Sequence, residues 1–344
     1  MRFFDAHCDT VLKVMDGSLD FRTGSGQGHV SFPGLVEAGS CAQVFACFVL
    51  SERYPGRERE TAEAALSAIR EMIAGTEDGM TLALTASALR AGATGGPIPA
   101  LIALEGADPL EGRAEAFAHF HRLGVRDLIL AWKNNPFAGS AFGEDVPLTA
   151  EGERLVGLAE ELGTMIDVSH LSDRSFADVL RIARKPFIAS HSNCRTLCPS
   201  LRNLTDPMIR SLADRGGVIG INLVPAFLDP SFYWETERYR KELFAGGETP
   251  AAKAELDRRV VALPRPALDW VGRHVLHAIT VGGEDAVGLG GDLDGAAVLP
   301  LGIEGIADYP KIADLLLDLG LSVRQVEKIA WGNFARVFSE VLPA

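Results

Sequence analysis

Apolar residues in this chain fall mainly in short continuous runs, with little of the alternation that marks a half-exposed sheet. Phe3 to Cys8, Ala42 to Leu50, Ala100 to Leu104, Val125 to Ala131, Thr164 to Val168, Phe187 to Ser190, Val218 to Asn222 and Ala286 to Gly291 are such runs. Runs of this kind read as strands buried on both faces, as in a parallel sheet covered by helices. Helical spacing separates them. Ala65, Ile69, Met72 and Ile73 recur along Arg57 to Gly75, with glycine at the stop. Thr149 and Ser172 are placed to cap helices, the second carrying Phe176, Val179, Leu180 and Ala183 on one face before Pro186 ends it. Thr205 with Pro207 opens another, closed by Gly216 and Gly217, and residues 111–123, 266–280, 308–319 and 322–340 also read as helices.

Residues 16–40 read as a loop with a short helix near Pro33 to Glu37, and Thr81 to Thr85 as a brief strand outside the main sheet. Leu228 to Pro266 is a long charged insertion with Phe232, Tyr233, Trp234 and Tyr239 near its start, a candidate for covering a substrate. Eight buried strands, each followed by a helix or loop, predict an α/β fold: one (β/α)8 TIM-barrel domain over residues 1–344, with inserted loops and terminal helices. A doubly wound open sheet is the alternative. No Gly-x-Gly-x-x-Gly turn follows the first strand, which weakens its dinucleotide-binding form.

Composition narrows the partners. A hydrophobic fraction of 47% and a charged fraction of 23% are those of a globular chain with a large core. The net charge of −13 argues against nucleic acid and anionic membranes. No apolar run is long enough for a membrane span, and no signal-like segment opens the sequence. Five scattered cysteines suit a reducing, cytoplasmic setting, with Cys194 and Cys198 read as structural thiols.

A barrel places its chemistry at the carboxyl ends of its strands, so what terminates each strand can be read in turn. His7 and Asp9 end the first, on one face if the strand alternates; Glu105 ends the third, His170 the fifth, His191 the sixth and Asp292 the eighth. A His-x-Asp pair alone is weak, because a histidine beside a carboxylate is more often a plain hydrogen-bonded pair. Three imidazoles and three carboxylates on one rim exceed what a closed tetrahedral site uses and are enough for two ions about 3.5 to 4 Å apart. The other five histidines, His29, His119, His121, His274 and His277, fall in loops or helices and read as structural.

Five segments occur in order: Asp5-Ala6-His7-Cys8-Asp9, Leu104-Glu105-Gly106, Ile166-Asp167-Val168-Ser169-His170, Ser190-His191-Ser192 with Arg202-Asn203 following, and Gly290-Gly291-Asp292-Leu293-Asp294-Gly295. Together they resemble the membrane (renal) dipeptidase family of the amidohydrolase superfamily, over essentially the whole chain. The resemblance implies two zinc ions, one on His7 and Asp9, the other on His170 and His191, with Glu105 bridging both. It implies that Arg202 grips the free carboxylate of a dipeptide. Asp292 would take a proton from metal-bound water and return it to the leaving amine. The implied reaction is dipeptide hydrolysis by a hydroxide shared between the metals, with D-configured second residues among the candidate substrates.

Trp132 departs from the pattern, since animal-type members carry there a histidine that touches the substrate carbonyl. Those members are secreted and lipid-anchored, whereas this sequence reads as a cytoplasmic bacterial-type homologue. The expected partner is a small dipeptide, without nucleic acid or membrane, and a homodimer is left open. The near alternative is another binuclear amidohydrolase, an N-acyl amino acid deacetylase or lactonase, with Lys133 as a carboxylated bridge. A non-catalytic binding protein and a sugar-phosphate isomerase share the fold. The aspartates ending the eighth strand would repel a phosphate.

Overall fold

The continuous apolar runs form parallel strands in the computed structural model, which describes residues 1–344. Phe3–Cys8, Ser40–Phe48, Ile98–Glu105, Val125–Ile129 and Met165–Asp167 pair successively, and Val287–Leu289 lies between Phe3–Cys8 and Ile219–Ile221. The sixth place is taken by residues 187–190. There Ile188 N donates to Ile166 O at 2.9 Å and Ala189 N to Val218 O at 3.0 Å, joining the fifth and seventh strands. The ring therefore closes in eight places, as the barrel reading expects. This sixth segment bonds through single bridges, because Pro186 supplies no N–H at its start and the chain turns at Ser190. Gly220 and Gly290 flank that turn, and a Cβ on either would overlap the Ser190 carbonyl oxygen. The close approach brings His191 to the rim.

The brief strand expected outside the sheet is attached to it. Met80–Leu82 pairs in parallel with the first half of the third strand, whose second half pairs with Val125–Ile129. The third strand is longer than the fourth, so its lower edge would otherwise be left unpaired. The insertion is helical over Pro230–Leu243 and Pro250–Val261, started by Asp229 and Thr249 side chains that accept from Ser231 N and Ala252 N. Predicted caps at Thr149, Ser172 and Thr205 accept from Gly152, Ser175 and Met208.

Inside the ring lie Phe4, Val44, Leu101, Ala103, Ile129, Met165, Ile188 and Val218. Phe334 and Phe338 of the helix Asn333–Val341 pack on Phe4, with ring centroids 5.7 and 5.5 Å away, and seal the floor. Apolar side chains close the bottom, and the buried Asp127, next but one to Ile129 on the same strand, lies beneath the opposite mouth. All five cysteines are free and buried. No helix is long and apolar enough to cross a membrane.

Candidate active site

Glu105 is the last residue of the third strand and shares the inward face of Leu101 and Ala103, so alternation carries its carboxylate into the mouth. His7 stands one residue before the end of the first strand, where the register slips between Asp5 and Cys8. Asp9 lies past that strand, at the start of the helix Thr10–Met15, and makes no capping hydrogen bond there. The two therefore meet across a turn rather than by the alternation expected from the sequence; His7 Nε2 is 3.7 Å from Asp9 Oδ2. His170 and Asp292, beyond the fifth and eighth strands, hold left-handed backbone with φ of 68° and 56°. Side chains rarely adopt that region unless the surroundings impose it, and such residues cluster at functional sites.

Glu105 lies at the centre. Its Oε2 is 3.4 Å from His7 Nε2, while Oε1 is 3.1 Å from His170 Nε2 and 3.9 Å from His191 Nε2. One oxygen thus faces the His7 and Asp9 side and the other faces the His170 and His191 side. The two latter imidazoles point their Nε2 atoms at each other across 2.8 Å. His191 Nδ1 is 2.8 Å from Ser190 Oγ; a proton held there leaves Nε2 as a lone pair. Both nitrogens of His7, Asp9 Oδ1 and His170 Nδ1 are buried without a hydrogen-bond partner.

Two of the three imidazoles are neutral. Burial, then the positive Arg202, push His170 down to about 3, and burial followed by His7 pushes His191 well below the ordinary value, so both imidazoles are neutral donors. Burial opposes charge on His7, but Glu105 and Asp9 outweigh it and raise its pKa well above normal. Burial and the Glu105 charge lift Asp9 to about 7. Donor atoms of His7, Glu105 and His191, and of His7, Asp9 and Asp292, each lie within 4.8 Å of one another. Neutral His170 and His191, with the unmade bonds of Asp9 and His7, fit a divalent ion such as zinc, whose charge would take the place of the proton that Glu105 and Asp9 draw onto His7.

Asp292 Oδ2 accepts from Asn222 Nδ2 at 2.9 Å. Asp294, by contrast, is committed to structure: it accepts from Thr10 Oγ1 at 2.6 Å and His29 N at 2.7 Å. Arg202 is 3% exposed. Its guanidinium donates to His191 O at 3.0 Å, lies 5.4 Å from the Phe227 ring and 6.0 Å from the Phe142 ring, and leaves Nε without a partner. It makes no ion pair within the chain, and burial lowers its pKa to about 10.

A cavity of about 240 Å³ opens over the cluster, lined by Glu105, His170 and Asp292 on one side and Trp132, Phe142 and Phe227 on another. Trp132 packs between Phe48 and Phe142, at 5.1 and 5.4 Å between ring centroids. It also borders a second cavity of about 420 Å³, formed with Lys133 and with Arg240, Phe244 and Leu256 of the insertion. The insertion thus adjoins the site, though not through the four aromatics singled out from its sequence. Lys133 faces this outer cavity and pairs with Glu52. That leaves the carboxylated-lysine bridge without a lysine at the cluster. The five remaining histidines lie elsewhere: His29 Nδ1 accepts from Asp294 N, His119 meets Glu63, His277 meets Asp206, and His274 bonds to Cys194 N and Leu228 O. His121 Nε2 is buried without a partner, away from the cluster.

Asn222, Phe142 and Phe227 were not singled out from the sequence. Asn222 ends the seventh run, so the strand-end rule reaches it, but an amide is not a metal-ligand type. Phe142 lies in a turn and Phe227 in the four-residue helix Pro225–Leu228, too short to write a period.

A closed barrel with this donor set at its mouth defines the class of barrel metallohydrolases. A family model described as membrane dipeptidase (peptidase family M19) matches residues 1–343. The chain belongs to this family and is a peptide-bond hydrolase. Dipeptidase tcpJ of Claviceps purpurea is 32% identical over 251 residues, covering 72% of this chain and 52% of that protein, so the match spans about half of that relative. Among solved structures, the dipeptidase AC, a metallo peptidase of family M19, has a TM-score of 0.85 at 25% identity and covers 100% of this chain and 99% of that one. A metallo peptidase from Rhodobacter sphaeroides, liganded with a phosphinate mimic of the dipeptide L-Ala-D-Ala, shares the fold at a TM-score of 0.84, 24% identity and 99% coverage of each chain.

Proposed function

We propose that this chain hydrolyses dipeptides using two zinc ions held by His7 and Asp9 on one side and His170 and His191 on the other, with Glu105 shared between them. The observation that carries the dipeptide reading is Arg202, a buried guanidinium with no carboxylate of its own chain, which stands beside the cluster. An isolated buried charge is costly unless a partner arrives, and a free α-carboxylate is such a partner. Bound metals would supply a nucleophile near neutral pH and polarise the scissile carbonyl. The chain's own groups do the rest. Arg202 anchors the substrate's anionic end, Phe142 and Phe227 exclude water around that pair, and Asp292 moves the proton from the attacking water to the leaving amine.

Arg202→Met is expected to raise KM for dipeptides by about a hundredfold, the cost of leaving one member of a buried charge pair alone, and to change little for dipeptide amides. Steady-state kinetics on matched peptide and amide pairs checks this; equal losses on both would assign Arg202 a structural role.

Trp132 is read as a wall. Its ring is held by Phe48 and Phe142, and it separates the cavity over the cluster from the outer one. Trp132→Phe should be nearly neutral in kcat, while Trp132→Ala should raise KM by an amount that varies with the substrate side chain. A Phe variant with unchanged KM and kcat lowered by roughly 10² to 10³ would instead make the indole N–H an oxyanion donor.

A further inference from the structure

Asn222 follows the seventh strand and is fully buried. Its backbone is pinned on both sides: Asn222 N donates to Asn193 Oδ1 at 3.1 Å, and Asn193 Nδ2 donates back to Asn222 O at 3.0 Å. Its side-chain oxygen accepts from Val224 N at 2.6 Å. A backbone N–H can only donate, so this bond fixes which end of the amide is which. The NH2 group must therefore face Asp292. It donates to Asp292 Oδ2 at 2.9 Å and, more weakly, to His191 O at 3.4 Å. Both of its hydrogens are then used, and one oxygen of Asp292 is committed.

We infer that Asn222 is the positioning residue that aims Asp292: by holding Oδ2 from outside the cavity, it presents Oδ1 to the reacting groups. The inference rests on reading Asp292 as the acid/base group. Asp292 needs such a hold, since its backbone is left-handed and only Gly295 N, Ala296 N and His7 O tie its main chain in place. A short carboxylate held by its main chain alone can swing about its side-chain torsions, and a misplacement of about 1 Å at a reacting group can cost on the order of 10² in rate. Asn222 is fully buried and its amide is spent on Asp292, His191 O and Val224 N, so its effect on turnover passes through a neighbour.

The test is a double-mutant cycle between Asn222 and Asp292, with zinc content and thermal melting measured on every variant. Asn222→Ala should lower kcat by roughly 10- to 100-fold, with KM changed by no more than about threefold and zinc retained. In an Asp292→Asn background the same change should cost no more than about twofold, because the group it aims is already disabled. Asn222→Asp keeps the acceptor for Val224 N but turns an oxygen toward Asp292; it should lose at least as much as the alanine variant, and it carries the test if alanine does not fold. Costs that multiply in the double variant, or zinc lost from the folded single variants, would overturn the inference while leaving the dipeptidase reading intact. An Asp292→Asn protein of undiminished activity would instead remove the reading on which the inference rests.

Discussion

Purified Glu105→Gln protein is expected to retain less than roughly a tenth of the parent's metal after dialysis and to turn over no dipeptide. The carboxylate uses both oxygens in different directions, Oε2 toward His7 and Oε1 toward His170 and His191. An amide of the same shape has one acceptor and one donor end. Whichever way it turns, one set of imidazoles meets N–H groups in place of an oxygen, and the negative charge that two cations would share is gone. Both halves should therefore fail together. Elemental analysis alongside a dipeptide assay decides the matter: one ion per chain retained, or activity intact, would show that Glu105 is not shared.

Asp292→Asn should behave in the opposite way, keeping its metal and losing roughly 10² to 10⁴ in kcat. Asparagine preserves volume and can still turn its oxygen toward Asn222 Nδ2, so the fold at the eighth strand end is undisturbed. What it cannot do is accept and return a proton. The competing outcome is concrete, because Asp292 shares with His7 and Asp9 a set of donor atoms within 4.8 Å of one another. A metal-free variant would make Asp292 a ligand and leave the proton transfer unassigned.

The barrel was legible in the sequence because every place in the ring is a run buried on both faces, and the residues gathered at the rim could be named as candidates because each ends or closely follows such a run. The routes by which they meet were less so. Alternation predicts that His7 and Asp9 share a face, yet a register slip and a helix start intervene, neither of which leaves a trace in residue type. The insertion hid its helices for a different reason. Phe232 and Thr236 are the buried positions of Pro230–Leu243, and Leu256 that of Pro250–Val261, too few to write a helical period. Asp229 and Thr249 cap these helices, but a capping residue type without periodicity does not define a helix. Asn222 illustrates the remaining gap, since its importance lies in which neighbour its amide meets, and pairing across strands is not written along one of them.

The ring's last seam joins segments far apart in the chain: Asp5 pairs with Leu289, and the Thr10 hydroxyl reaches Asp294, 284 positions away. Contacts so distant repay their loop-closure entropy only once the intervening strands are in place, so this seam is expected to zip late in folding, with φ-values near zero at Asp5 and Thr10. His7 and Asp9 stand on one lip of it and Asp292 on the other. A cation seeking those groups finds them scattered in the nascent chain and gathered only after the ring has shut. Having entered, it opposes reopening, because whatever binds the closed form alone stabilises that form. On this order of events a bound metal would act as a latch on the finished fold, so its removal is expected to speed unfolding more than it slows folding.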